Sequence, residues 1–182
     1  AALQLRRYGI APRLFEASRP GGLLWNANRV ENYPGFPGGI PGPDLAQIFI
    51  AQAGEIPVTR KAVLELTWAD NLFHARTPSA VYPGRAAVVA SGTHPRRLSG
   101  FTIPDELQAL VFYEVVDLLA VSGKNILIVG SGDAAFDYAL NLAHKNSVII
   151  LNRTTQVKCL PLLWERVQAC PNIHYHSHTT IH

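Results

Sequence analysis

Gly130-x-Gly132-x-x-Ala135 sets three small residues at a spacing that suits a pyrophosphate-binding turn. The apolar run Asn125-Ile126-Leu127-Ile128-Val129 precedes it, and a helix-forming stretch follows to about Lys145. Each small residue has a separate reason. Gly130 allows the tight turn, Gly132 lets a pyrophosphate approach the backbone, and Ala135 lets the helix pack on the strand. The free amides at the start of that helix can hold phosphate oxygens, which makes Asp133, Ala134 and Ala135 candidate cofactor-binding residues. A second apolar run, Ser147-Val148-Ile149-Ile150-Leu151, ends 21 residues after Gly130. A residue that reads the ribose belongs there, and Asn152 and Arg153 occupy the place. An acid would accept the 2′-hydroxyl of NAD, whereas an arginine pairs with the 2′-phosphate of NADP. The expectation is therefore a dinucleotide site, with NADP favoured over NAD. Asp133 and Asp137 fall on the first turns of the helix, where carboxylates suit its dipole, and are assigned no catalytic role.

Other chemistry-bearing residues give weaker signals. Glu16 ends the short apolar run Pro12-Arg13-Leu14-Phe15. A carboxylate in such a place can accept ribose hydroxyls, or it can be an ordinary surface residue. His174, His176, His178 and His182 alternate as on one strand face, but no cysteine or carboxylate joins them, so they are read as a polar face rather than a metal site. Cys159 and Cys170 match no redox or metal spacing and are read as reduced thiols of a cytoplasmic protein.

These residues need elements to hold them. Ala1–Gly9 reads as the end of a helix closed by a glycine cap. Residues 17–43 form a long loop rich in glycine, proline and aromatics, shaped rather than disordered. Asp44 caps a helix to about Ala53, with Leu45, Ile48 and Phe49 on one face. Val63–Trp68 and Leu72–Ala75 flank the hairpin signal Asp70-Asn71. Ala86-Ala87-Val88-Val89-Ala90 reads as a fully buried strand. Residues 93–106 are the candidate linker. Strand, helix and strand then follow over 125–151, a βαβ unit that implies a parallel sheet.

The totals set the bounds. The chain has 182 residues, 48% hydrophobic and 16% charged, enough for one medium domain or two small ones. The net charge of +3 comes from scattered basic residues, which gives no nucleic-acid footprint, and no apolar run approaches the ~20 residues of a membrane span. With no methionine, and a last residue that falls partway through an apparent strand, the chain reads as a piece cut at both ends.

Together the residues resemble the thioredoxin reductase group of two-domain flavoproteins. The matching stretches are Arg19-Pro20-Gly21-Gly22-Leu23-Leu24, Val30-Glu31-Asn32-Tyr33-Pro34-Gly35-Phe36-Pro37, Gly42-Pro43-Asp44-Leu45, Val88-Val89-Ala90-Ser91-Gly92 and Gly123-Lys124-Asn125 leading into the glycine turn. The resemblance implies an α/β fold of two Rossmann-like three-layer nucleotide-binding domains. A partial FAD domain would occupy 1–105 and a partial NAD(P)H domain 106–182. The FAD domain would lack its first strand and phosphate loop as well as its C-terminal segment, so the piece is expected to hold FAD poorly and to be inactive alone. By the same match Glu16 holds the FAD ribose, Gly21, Gly22 and Leu23 line the pyrophosphate and ribityl chain, Asn32 approaches the flavin, and Ala90, Ser91 and Gly92 form a turn against the FAD.

Two departures refine this expectation. The group's Cys-x-x-Cys is replaced by Val111-Phe112-Tyr113-Glu114-Val115-Val116-Asp117, which is similar to the thioredoxin-reductase-like ferredoxin–NADP reductases. The group's His-Arg-Arg appears as Asn152-Arg153-Thr154, with one arginine lost. The resemblance thus implies hydride transfer from NAD(P)H to FAD and on to a small redox protein, such as ferredoxin or flavodoxin, or to a small-molecule acceptor. Rotation of one domain about the 93–106 linker would accompany it, and a homodimer is compatible with it. No side chain need act as a catalytic acid or base. A divergent thioredoxin-disulfide reductase and a non-enzymatic NAD(P)-binding redox sensor are the alternatives.

Overall fold

The computed structural model describes residues 1–98, 100 and 102–181. Its contacts divide the chain into two compact units. One comprises Ala1–Leu24 and Asp44–Thr93, and the other Trp25–Pro43 and the residues from His94 onward.

In the first unit, helix α1 (Ala2–Arg7) ends with Arg6 and Arg7 in its last turn, where cations suit the dipole. Gly9, at φ +72, then carries the chain away from the helix. The expected strand at Pro12–Glu16 narrows to β1 (Leu14–Phe15). Helix α2 (Gly42–Ala53) starts two residues ahead of Asp44, because Pro43 in the first turn has no amide to satisfy. Leu45 and Ala46 are buried, while Ile48 is 44% exposed. The buried stripe therefore runs through Leu45 and Ala46, and Ile48 does not share it. Strand β2 (Val58–Thr59) pairs in parallel with β1.

An antiparallel meander follows: β3 (Glu65–Ala69), β4 (Leu72–Arg76) and β5 (Val81–Gly84). The Asp70-Asn71 hairpin forms as expected, with both residues at positive φ (51 and 62). This is the two-residue turn whose twist matches the strands. Trp68 packs edge-on against its cross-strand partner Phe73 at 4.7 Å. Tyr82 of β5 meets Phe15 of β1 at 5.1 Å, and the Arg13 guanidinium lies over the same Tyr82 ring.

Residues 86–90 correct the sequence reading. They form no strand and are exposed throughout, with Val88 at 68% and Val89 at 74%. β propensity becomes a strand only against a partner that accepts its ladder bonds, and no strand among the described residues pairs with this segment.

In the second unit, helix α3 (Asp105–Gln108) and a 3-10 turn at Val116–Leu118 lead into the expected alternation: β6 (Asn125–Val129), α4 (Asp133–Leu142), β7 (Ser147–Leu151), α5 (Pro161–Gln168) and β8 (Ile173–His176). The sheet is parallel throughout, in the order β6-β7-β8. Its core joins Phe136, Ala139 and Leu142, spaced at the helical period along α4, to Val148 and Ile150 of β7 and Ile173 of β8. β7 is central and buried, whereas β6 lies at the edge and leaves Leu127 and Val129 exposed. The continuous apolar run 125–129 is thus one-sided in its burial. Asn146 closes the end of α4: its amide donates to the carbonyls of Leu142 and Val121, and its oxygen accepts the Lys124 amide.

The chain leaves the ladder at β8 well before its last residues, with His178 in a bend at φ +52. The histidine alternation therefore breaks after His176, and His182 lies outside the described residues. No group of metal-binding side chains occurs among the described residues. No described helix is long and apolar enough to cross a membrane.

Candidate functional site

The glycine turn follows β6 directly. The Gly130 amide donates to the Leu151 carbonyl at 3.0 Å, which ties the turn to the end of β7 and draws Asn152 and Arg153 beside it. Gly130 stands at φ +151, and a Cβ there would lie 3.4 Å from the Ala135 Cβ. Gly130 and Ala135 are therefore small for one shared reason, the close approach of helix to turn. Gly132 is the N-cap of α4, and nothing lies within 4 Å of a Cβ built on it. Its smallness opens space in front of the helix rather than relieving packing. An open cradle before leading helix amides fits a pyrophosphate.

A strap that the sequence did not reveal crosses this turn. The Lys158 amide donates to the Ser131 carbonyl at 2.9 Å, and Lys158 bridges Gly132 in parallel. The Leu160 amide donates to Asp133 Oδ1 at 2.8 Å. The Asp133 carboxylate thus holds the start of α5. The strap also brings Lys158, an exposed residue, to the same turn as exposed Arg153. Only tertiary pairing reveals Lys158, since its six-residue distance from Asn152 matches no local pattern.

Asn152 sits at the end of β7 and is buried, with its side chain fully engaged. Its amide donates to the Gln156 carbonyl and the Tyr175 hydroxyl, and its oxygen accepts from the Thr154 amide and hydroxyl. Arg153 lies exposed on the turn so formed. Cys159 and Cys170 are free and flank α5 at either end. Burial, with help from the Asp133 charge, pushes the Cys159 thiol pKa up, away from the thiolate needed for exchange chemistry.

Of the loop expected over 17–43, residues 25–43 pack within the second unit. Val30 and Ile40 close it with an antiparallel bridge. Asn26 anchors it: the side-chain oxygen accepts the Val115 and Val116 amides, and the nitrogen donates to Glu114. The Asn28 amide donates to Asp137 at 2.8 Å. Burial raises the Asp137 pKa against the lowering effect of the Asn28 and Arg29 amides. Arg166 grips Glu31 with two bonds of 2.7 Å, and that contact holds the Glu31 carboxyl below its usual range. Sequence reasoning gave Asp137 only to the helix dipole and made no use of Asn26. Both act across separations near 90 residues or more, which no local pattern carries. Asn32 is exposed on this loop, near the tilted pair Tyr33 and Phe36.

The remaining candidates lie in the first unit. The Glu16 amide donates to the Thr59 carbonyl, and its carboxylate accepts the Ser18 amide at 2.9 Å. Gly21 and Gly22 take φ of 101 and 49 at the entry to a 3-10 turn, Gly22–Asn26, and Leu23 is exposed. Ala90, Ser91 and Gly92 are exposed outside any strand. Glu16 and Arg153 follow strands of different sheets, β1–β2 and β6–β7–β8. The structure thus gathers Gly130, Gly132, Asp133, Ala134, Ala135, Asn152 and Arg153 around one turn, and leaves Glu16, Gly21–Leu23 and Ala90–Gly92 in the other unit.

Comparison with known proteins places this geometry. The chain is 31% identical to the thioredoxin reductase of Streptomyces clavuligerus, over 96% of its own length and 56% of that relative. It is 33% identical to the ferredoxin–NADP reductase of Ignicoccus hospitalis, over 87% of its length and 53% of the relative. It therefore spans little more than half of these curated relatives. The thioredoxin reductase structures of Lactococcus lactis (TM-score 0.83, 24% identity) and T. acidophilum (TM-score 0.82, 22% identity) share its α/β fold over 97% of its length and 59% of theirs. A family model described as pyridine nucleotide-disulphide oxidoreductase matches residues 49–172. This chain belongs to the pyridine nucleotide-disulphide oxidoreductase family.

Proposed function

We propose that the chain is part of a flavin-dependent oxidoreductase in which NAD(P)H reduces FAD and the electrons pass to a small redox protein or small-molecule acceptor. The observation that carries this reading is the glycine turn. Support comes from the open space at Gly132 and from the Gly130–Leu151 bond, which brings exposed Arg153 beside the start of α4. In this reading the NAD(P)H domain lies within 106–182. Gly130, Gly132, Ala134 and Ala135 form its phosphate cradle, Asp133 holds the strap over it, and Arg153 with Lys158 faces a 2′-phosphate, which favours NADP over NAD. The FAD side falls within 1–105 outside the loop 25–43, with Glu16 at the ribose, Gly21, Gly22 and Leu23 along the pyrophosphate, and Ala90, Ser91 and Gly92 towards the flavin.

When bound, the nicotinamide and flavin supply the hydride chemistry themselves, so the protein contributes position and field and needs no general base. Cys159 and Cys170 are free, flank α5 and do not form a Cys-x-x-Cys. This favours a one- or two-electron acceptor such as ferredoxin or flavodoxin over disulfide exchange. Free thiols also favour a cytoplasmic setting.

The test is to express the sequence at the full length of its curated relatives and titrate it with NADPH. Yellow flavin bleached by NADPH, with ferredoxin or flavodoxin reduced and thioredoxin untouched, is the expected result. A colourless protein that binds NADPH would instead make this a redox-sensing module, and disulfide reduction coupled to bleaching would make it a divergent thioredoxin reductase.

A further inference from the structure

We propose that Asn152 and Tyr175 are positioning residues that set the preference for a 2′-phosphate by fixing the turn that presents Arg153; this deepens the NAD(P)H reading above and rests on it. Asn152 is 3% exposed. Besides its side-chain bonds, its backbone amide donates to the His176 carbonyl at 2.9 Å and its carbonyl accepts the Thr179 amide at 3.0 Å. The two amide hydrogens of its side chain go to the Gln156 carbonyl at 3.0 Å and the Tyr175 hydroxyl at 2.8 Å, and the oxygen takes the Thr154 amide at 3.1 Å and hydroxyl at 3.3 Å. A side chain committed in this way has nothing left for a nucleotide. What it does is close residues 152–156 into a rigid turn with Arg153 on its exposed side.

Tyr175 connects that turn to the core. Its ring packs edge-on against Trp164 at 5.0 Å and beside Phe136 at 6.0 Å, and Phe136 is fully buried. The hydroxyl is therefore delivered to Asn152 at a fixed place. An arginine recognises phosphate through a planar fork, and that recognition depends on direction as well as charge. A fixed turn aims the fork. A loose one leaves a mobile charge that is screened by salt. The glycine turn is tied to Leu151 and Lys158 through backbone bonds and not through the Asn152 side chain, so loosening residues 152–156 should act chiefly on the 2′-phosphate.

The experiment measures binding of 2′,5′-ADP and 5′-AMP to the 182-residue chain by calorimetry, and reads the ratio of the two affinities. Arg153→Ala sets the floor of that ratio. Asn152→Ala should lower the ratio about tenfold towards the floor, as expected for freeing a charge-assisted contact. Tyr175→Phe, which removes one hydroxyl and keeps the ring, should lower it about threefold and leave 5′-AMP affinity unchanged. Combining Asn152→Ala with Arg153→Ala should add nothing to the arginine variant alone. An unchanged ratio in either folded variant overturns the inference. If Asn152→Ala fails to fold, Tyr175→Phe decides alone. A wild-type ratio near one overturns this inference while leaving nucleotide binding intact, whereas a wild-type chain that binds neither probe removes the NAD(P)H reading as well.

Discussion

Two apolar runs of the same kind meet opposite fates in this molecule. Ser147–Leu151 lies between β6 and β8, packs beneath α4 and ends beside the glycine turn. Ala86–Ala90 has comparable strand-forming composition, yet lies exposed and unladdered before Ser91 and Gly92. The contrast teaches that a run of valines and alanines specifies a strand only in company. A parallel strand needs neighbours to take its backbone bonds and helices to cover its faces. Where both are present, the residue after the strand is held in place and can read a ligand.

The largest expected effect tests that contrast directly. Ile150→Ala, at a fully buried position of β7, should destabilise the chain by about 3–5 kcal/mol in urea denaturation. Val89→Ala should cost less than about 0.5 kcal/mol. Equal costs would break the comparison.

Gly130→Val comes next. A β-branched side chain at φ +151 that also meets Ala135 should cost about 2–4 kcal/mol and abolish nucleotide binding. Gly132→Ala meets open space, so it should cost at most about 1 kcal/mol, as a poorer N-cap, and act chiefly on NADPH binding. The pair separates packing from ligand clearance by comparing melts with titrations.

Asn26→Ala should cost about 1–3 kcal/mol, because the Val115 and Val116 amides lose their acceptor. Hydrogen exchange at those two amides would report it.

The smallest effects are on pH. The Glu31 carboxyl is held low by Arg166. Its contribution is therefore present above the ordinary carboxylate pKa and fades as pH falls through its lowered value. Asp137 is raised by burial, so its contribution is present below the ordinary value and is lost as pH rises through the raised one. Asp137→Asn should flatten the second dependence in pH-resolved melts, and Arg166→Ala the first. Because the Glu31–Arg166 pair is solvent-accessible, that loss should stay under about 1 kcal/mol.

Much of the fold was legible. Asp70-Asn71 announced its hairpin because both residues tolerate positive φ. The strand, glycine turn, helix and strand of 125–151 announced the parallel unit because each local choice agreed with the next. The failures share one cause. The exposure of Ile48, the bareness of 86–90 and the seating of 25–43 on Asn26, Asp137 and Arg166 depend on partners distant in sequence. The glycine turn and the exposed place of Arg153 after β7 were legible as local geometry. Asn152 was legible as a position but not as a role, because its partner Tyr175 lies a strand away. Lys158 reaches the turn through its amide bond to the Ser131 carbonyl and its bridge to Gly132.

The central claim is that the turn between β6 and α4 binds an adenine dinucleotide with Arg153 at its ribose end. Titrating the chain with 2′,5′-ADP while following backbone amide NMR shifts tests it most directly. Saturable shifts concentrated at Gly130–Ala135 and at residues 152–158, with Glu16 and Gly21 unmoved, are the expected result. Shifts centred on Glu16 and Gly21, or none at millimolar ligand, would contradict it.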